Sequence, residues 1–388
     1  MRRMLRILSV LPLVTLTTAT AQEPYRLPPQ TIVDILDAPP LPAVSLSPDR
    51  QWMLLAEQRS MPMIAEFSEP MLRLAGLRIN PKTNGPARLQ GFTGLLLKRV
   101  ADGTERRITV PANARLAGVG WSPDSRRVAF TNQRENGIEL WIADVATGAA
   151  KAVTPATLHG IEGSGCNWLP DSARLVCPFV PEGRGAAPQA PAVPVGPNAQ
   201  ETSGRAAPVR TYQDLLETPH DEALLDHYFT AQLALVDAPT GAISKIGAPA
   251  VFWGVNPSPN GEYLLVGRVT RPYSFLVPIF DFPEVTEVWN LRGERVAEVA
   301  RLPLAETTPV GGVRDGRRGV SWRPGAPATL VVVEALDGGD TRRPAEVRDK
   351  ISLLAAPFTG EPTELARTKD RFAGIRWGEG GLALLAES

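Results

Sequence analysis

The sequence predicts an all-β fold, and three observations carry that prediction. Gly and Pro are frequent, at 34 and 38 of 388 residues, against a combined average of about 12%. A turn-forming pattern recurs along the chain, and such punctuation disfavours long helices. Each copy is followed by a short apolar or alternating segment of strand length. Hydrophobic residues make up 43% of the chain, enough for a large core, so global disorder is excluded.

The first 21 residues read as a secretory signal peptide. Arg2, Arg3 and Arg6 form a positive start, Ile7 to Leu16 an apolar run, and Ala19-Thr20-Ala21 a small-residue cleavage pattern. The apolar run is short for a bilayer-spanning helix, although an uncleaved anchor is the alternative. Cleavage after Ala21 places the mature protein in the periplasm or outside the cell, with no membrane association. Residues 22–42 hold Pro28-Pro29 and Pro39-Pro40 and are expected to run extended along the surface.

From residue 43 onward the repeat dominates. Its clearest copy is Val119-Gly120-Trp121-Ser122-Pro123-Asp124-Ser125-Arg126-Arg127-Val128-Ala129-Phe130. Related copies are Ser45-Leu46-Ser47-Pro48-Asp49-Arg50, Asn167-Trp168-Leu169-Pro170-Asp171-Ser172 and Asn256-Pro257-Ser258-Pro259-Asn260-Gly261. Ser321-Trp322-Arg323-Pro324-Gly325 and Arg376-Trp377-Gly378-Glu379-Gly380 follow. Pro presets the turn, Asp or Asn bonds its own backbone, and Gly or Ser makes the exit. The Trp supplies a large face to pack between sheets.

After the clearest copy come the alternating strand Ile138 to Val145, a turn at Thr147-Gly148, and a further strand to Thr154. Four strands in about forty residues is the size of one propeller blade. Residues 43–388 are therefore read as a β-propeller of four-stranded blades. It is expected to be incomplete, with five to six blade-like units. No turn or partner follows the last strand, Leu382 to Ala386, and an unclosed ring leaves strand edges exposed. A β-sandwich with coincidental turns is the alternative.

Residues 183–209, rich in Gly, Ala and Pro, read as a flexible insertion. They lead to Leu215, Leu216, Leu224 and Leu225, whose spacing predicts a short helical excursion. That excursion is either a packed connection or a lid-like element.

The two cysteines, Cys166 and Cys177, flank a Pro-Asp-Ser turn centre. A hairpin there sets the sulfurs face to face. An oxidising compartment permits a disulfide, whereas a slip of one residue leaves two buried thiols.

No G-x-S-x-G elbow, phosphate loop or H-E-x-x-H motif is present. None of the three histidines, His159, His220 and His227, sits in a context that marks a general base; His220 and His227, seven apart in a polar connection, are weak metal candidates and are read as solvated loop residues. No cofactor is implied. Lys+Arg and Asp+Glu each number 41, so no basic excess points to nucleic acid. Within Arg271-Pro272-Tyr273-Ser274-Phe275-Leu276-Val277-Pro278, Arg271 and Tyr273 are the candidate substrate-binding pair. Arg271 either projects toward a cavity and meets an acidic group, or bonds carbonyls between blades while Tyr273 and Phe275 pack.

Several stretches carry a family resemblance. They are Pro24 to Pro29, Ile32 to Pro42, Leu74 to Pro81, Arg210 to Leu216, Arg271 to Pro278 and Ala356 to Gly360. From residue 24 onward the chain resembles the N-terminal part of glutamyl endopeptidases, serine peptidases of the prolyl oligopeptidase class. The resemblance implies a propeller stacked on a C-terminal α/β-hydrolase domain that carries the Ser, Asp and His triad and hydrolyses peptides. The propeller would gate and scaffold substrate. No residue of this chain inherits a catalytic role, so the chain is expected to be inactive alone, with peptides reaching it through the missing domain. The competing reading is a self-standing propeller that binds peptides or a protein partner.

Overall fold

The computed structural model describes residues 27–89, 91–161, 165–193 and 211–388. The chain forms two compact units, residues 1–39 and 40–388. The signal peptide assigned to residues 1–21 lies outside the described residues.

In the first unit the expected extended run is corrected to a helix, α1 (Gln30–Asp37). Pro29 sits just before the first turn, where a missing N–H costs nothing. Ile32, Ile35 and Leu36 then recur at helical spacing and lie on one side. Pro39 and Pro40 prevent continuation.

The second unit is a series of antiparallel meanders. The first sheet contains Ala43–Leu46, Trp52–Glu57, Gly94–Arg99 and Glu105–Arg107, and the second Leu116–Trp121, Arg127–Arg134, Gly137–Asp144 and Ala150–Ala152. Asn167–Trp168, Arg174–Phe179, Thr230–Asp237 and Ile243–Lys245 form the third. Ala250–Pro257, Tyr263–Val269, Glu284–Asn290 and Arg295–Leu302 form the fourth, and Arg317–Trp322, Thr329–Ala335, Asp349–Ala355 and Thr363–Thr368 the fifth. Pairing of Thr230 with Val251 and of Ala231 with Ala250 joins the third and fourth into one continuous sheet. A sixth, two-stranded sheet pairs Phe372–Trp377 with Ala383–Glu387, so the last strand folds back on its predecessor.

These sheets stack as propeller blades, because in the second to fifth sheets the second strand buries both faces. Val128 and Phe130 pack toward the first sheet, whereas Ala129 between them packs toward the third. Leu175 and Cys177 face the second sheet and Val176 the fourth. Leu264 and Val266 face the third and Leu265 the fifth. Leu330 and Val332 face the fourth, and Val331 and Val333 the sixth. Period-two alternation sends successive side chains into two different cores. Among the described residues no pairing or buried cluster joins the first sheet to the sixth.

The Pro-Asp turns, Pro-Asn in the fourth sheet and Pro-Gly in the fifth, connect the first two strands of the first five sheets and also tie neighbouring sheets together. Residues at the fourth turn position have positive φ: Arg50, Ser125, Ser172, Gly261 and Gly325. Serine there has a use that glycine lacks. Ser125 Oγ accepts the Asp49 N–H at 3.0 Å, and Ser172 Oγ accepts the Asp124 N–H at 3.0 Å. Trp121, Trp168 and Trp322 likewise donate their indole N–H to Ser45 Oγ, the Gly120 carbonyl and the Asn256 carbonyl of the preceding sheet. Ser125→Ala removes the tether and is expected to cost about 1 kcal/mol in urea unfolding. A loss as small in Ser125→Ala as in an exposed Ser→Ala control would contradict the tether.

Connections between second and third strands are long in the first, third, fourth and fifth sheets. In an up-and-down meander they leave from the face opposite the Pro-Asp turns. They include α2 (Ile64–Phe67), a hairpin of Leu72–Leu74 with Leu77–Asn80, and α3 (Pro219–Phe229). The expected helical excursion is met in part: α3 holds Leu224 and Leu225 but not Leu215 and Leu216, because it starts only at the capping box between Thr218 and Asp221, with Pro219 in its first turn. Part of the predicted insertion, residues 194–209, lies outside the described residues.

Candidate functional site

Three segments far apart in sequence meet on the insertion side. At the tip of the Leu72–Asn80 hairpin, Ala75 and Gly76 both have positive φ, at 50° and 85°. The Gly76 N–H donates to the Asp214 carbonyl at 2.8 Å, and the Ile279 N–H donates to the Ala75 carbonyl at 2.8 Å. The Asp214 carboxylate then receives Arg78 Nε at 2.5 Å, with Arg73 Nε at 3.6 Å. Leu74, Ile79, Leu216, Leu225, Phe229, Val277 and Ile279 share one buried cluster beneath these contacts. The hairpin, the 212–216 stretch and the 272–282 stretch therefore form one cap.

Arg271 and Tyr273 face α3. Arg271 Nη1 lies 2.7 Å from Glu222 and Nη2 2.6 Å from Asp226, while the Tyr273 hydroxyl donates to Asp226 at 2.5 Å. Glu222 and Asp226 stand one turn apart on the helix, so one guanidinium fork reaches both. The guanidinium also lies 4.3 Å from the Tyr273 ring centroid. Hydrogen bonds donated to Glu222 and Asp226 raise the Arg271 pKa further. Burial and the Asp226 carboxylate raise the Tyr273 pKa. Both terminal nitrogens of Arg271 are thus engaged by internal carboxylates, where the sequence had left open an acidic ligand or carbonyls between blades. Tyr273 is buried, but Phe275, which packs in the second of the two sequence readings, is 39% exposed.

Over 95% of its length the chain is 39% identical to a probable chloroplastic glutamyl endopeptidase of Oryza sativa subsp. japonica, matching 41% of that protein. A probable chloroplastic glutamyl endopeptidase of Arabidopsis thaliana is 39% identical over 94% of the chain, matching 39% of that protein. This chain is a relative of the glutamyl endopeptidases. It spans about two fifths of the length of the curated relatives it matches. No family model matches the chain. Among solved structures it is similar to uncomplexed Pyrococcus horikoshii acylaminoacyl peptidase, with TM-score 0.43 and 12% identity, covering 87% of this chain and 41% of that one. It is also similar to the β-propeller domain of the Trilobed protease from Pyrococcus furiosus, with TM-score 0.42 and 10% identity, covering 90% and 78%.

In this glutamyl endopeptidase relative His220 and His227 are not the solvated loop residues expected, and His159 is not solvated either. His159 is buried, and its Nε2 lies 2.8 Å from the Tyr228 carbonyl at the end of α3. Asn84 Nδ2 donates to the same carbonyl at 3.2 Å. Arg184, which donates to Asn84 Oδ1, stands over the Tyr228 ring. His220 and His227 lie on α3 and are half-buried. Among the described residues no group of three or more His, Cys, Asp or Glu could hold a metal. Cys166 and Cys177 are joined as a disulfide, in the hairpin where Asn167 pairs with Val176 and Trp168 with Leu175.

Burial pushes the His159 pKa down to about 4, and the nearby Arg184 charge acts in the same direction. The folded value is below the unfolded value of about 6.5. The stabilising effect of a neutral His159 is therefore complete above that pH. It is lost as pH falls toward about 4, by up to about 1.4 kcal/mol per unit. His159→Gln should flatten this slope in urea titrations between the two values. An unchanged slope would show that His159 does not titrate in this way.

Asp214, Asn84, Glu222 and Asp226 carry the cap, yet no sequence motif singled them out as functional. The resemblance stretches 74–81, 210–216 and 271–278 were the available signal, because residues 74–81, 212–216 and 272–278 of them meet in the same cap.

Proposed function

We propose that the chain is the non-catalytic propeller part of an exported serine peptidase of the prolyl oligopeptidase class, and that it scaffolds and screens peptide substrates. The observation that carries this reading is 39% identity to glutamyl endopeptidases over 95% of the chain. The name of those relatives makes peptides cut after glutamate the substrate class. The insertion side, with its cap, is the surface that peptides meet. Arg271 and Tyr273 serve as positioning residues: they hold α3 through Glu222 and Asp226 and so set the shape of that surface. Export follows from the leader pattern of residues 1–21. Among the described residues, no helix is long and apolar enough to cross a membrane.

Fluorescence anisotropy with labelled, unstructured Glu-containing peptides tests the reading. Saturable binding that weakens in Arg271→Ala is expected, while an active-site serine probe leaves the chain unlabelled. A folded chain that binds no peptide, or one that the probe labels specifically, would overturn it.

A further inference from the structure

We propose that the cavity between the fourth and fifth sheets is a binding site for a carboxylate carried on an apolar body, with Arg318 as its charged anchor. The cavity holds about 480 Å³, within the range of small-ligand sites. It lies at the insertion-side ends of the sheets, where Glu284 begins one lining strand and Leu302 ends another. Its walls include Trp253, Leu265, Leu302 and Val320, and its polar side carries Arg314, Arg317 and Arg318.

The three arginines are not equally satisfied. Arg314 donates to the Phe282 carbonyl at 2.8 Å and to Glu284 at 3.2 Å. Arg317 reaches Glu334 at 3.5 Å, but Lys350 holds the same carboxylate at 2.8 Å. Arg318 Nη2 lies 2.6 Å from Asp349, which Arg371 also binds at 2.8 Å. Arg318 Nη1 is buried and has no partner among the described residues. An unmet buried donor on a charged group is costly, and a carboxylate is the acceptor that a guanidinium fork fits best. Asp281, the remaining acid of the lining, accepts the Tyr212 hydroxyl at 3.3 Å.

Charge sharing leaves the cavity positive. Arg314, Arg317, Arg318, Arg348, Lys350 and Arg371 stand against Asp281, Glu284, Glu334, Asp337 and Asp349. The apolar body is called for by the walls and by bare backbone. A Cβ added at Gly254 would meet nothing nearer than Asn256 Nδ2 at 4.0 Å, and one at Gly319 nothing nearer than Val333 at 3.7 Å. Space beside apolar walls suits an organic acid better than a fully hydrated inorganic anion. Two sources share this chemistry, a free organic acid and the α-carboxylate of a peptide end. The site does not depend on the peptidase reading.

Isothermal titration calorimetry at low salt tests the proposal with four probes: 3-phenylpropanoate, its amide, N-acetyl-phenylalanine and inorganic phosphate. Both carboxylates are expected to bind, with the amide and phosphate about tenfold weaker or worse. The tighter of the two carboxylates identifies the source. Arg318→Gln and Gly254→Leu should each weaken binding about tenfold or more, the first by removing the anchor and the second by filling the space. No binding to the native chain would overturn the site. So would an amide or phosphate as tight as the acids, or a folded Gly254→Leu chain that binds normally. If Arg318→Gln does not fold, Gly254→Leu and the acid–amide comparison still decide.

Discussion

Replacing Arg371 by Met is expected to destabilise the propeller by about 3–5 kcal/mol, the range for removing one partner of a buried ion cluster. Arg371 enters the sixth sheet and reaches back into the fifth. Its Nη2 lies 2.6 Å from both Asp337 oxygens, and its Nη1 lies 2.8 Å from Asp349. Both aspartate side chains are fully buried. Arg348 adds a bond to Asp337 at 2.7 Å, Arg318 one to Asp349 at 2.6 Å, and the Phe372 N–H another to Asp349 at 2.7 Å. Burial works against the charged form of Asp337, but hydrogen bonds from Arg371 and Arg348 outweigh it and hold that carboxyl below its ordinary range.

Without Arg371, two buried carboxylates keep only one arginine each, and of the sixth sheet's polar ties to them only the Phe372 N–H to Asp349 remains. Urea unfolding should show a lower midpoint. Hydrogen exchange should show early opening of residues 372–387. Arg371→Lys keeps the charge but not the fork, and should fall between the native chain and Arg371→Met. A loss below about 1 kcal/mol in Arg371→Met would mean that the cluster behaves like a solvated surface pair.

The second large effect is expected at Gly76. A Cβ built there would lie 2.5 Å from Pro278 Cβ, and the residue has φ +85°. Left-handed backbone costs a residue with a side chain about 1–2 kcal/mol, and overpacking commonly adds about 1–3 kcal/mol. Gly76→Val should therefore lose about 2–5 kcal/mol and loosen the cap, because the Gly76 N–H also holds the 212–216 stretch through Asp214. Pro278→Ala alone leaves the Cβ in place and should not rescue Gly76→Val, whereas Pro278→Gly should recover only the steric share. Full rescue would rule out the backbone contribution, and no loss in the single variant would rule out the close approach.

The blades were legible in the sequence because their determinants are local. A Pro-Asp-Ser or Pro-Asn-Gly turn sets its own dihedrals within four residues, and alternation in the next strand sets its two faces. The same reasoning failed at residues 30–37, where prolines at both ends suggested an extended run although the segment between them has helical spacing. It offered nothing on the burial of His159, because nothing near it in sequence foretells burial beneath α3. Arg271 was visible as unusual, but its partners Glu222 and Asp226 come from a different sheet's insertion.

Sequence by itself determined the all-β class, the repeating hairpins and the kinship with glutamyl endopeptidases. Tertiary structure alone decided that Gly76, Asp214 and Pro278 close one cap, and that Arg318, Arg348 and Arg371 share two buried aspartates. The physical reason is range. Turn and strand preferences act between neighbours in the chain. Close packing and charge pairing act between neighbours in space, and here those neighbours are brought together only when the sheets stack.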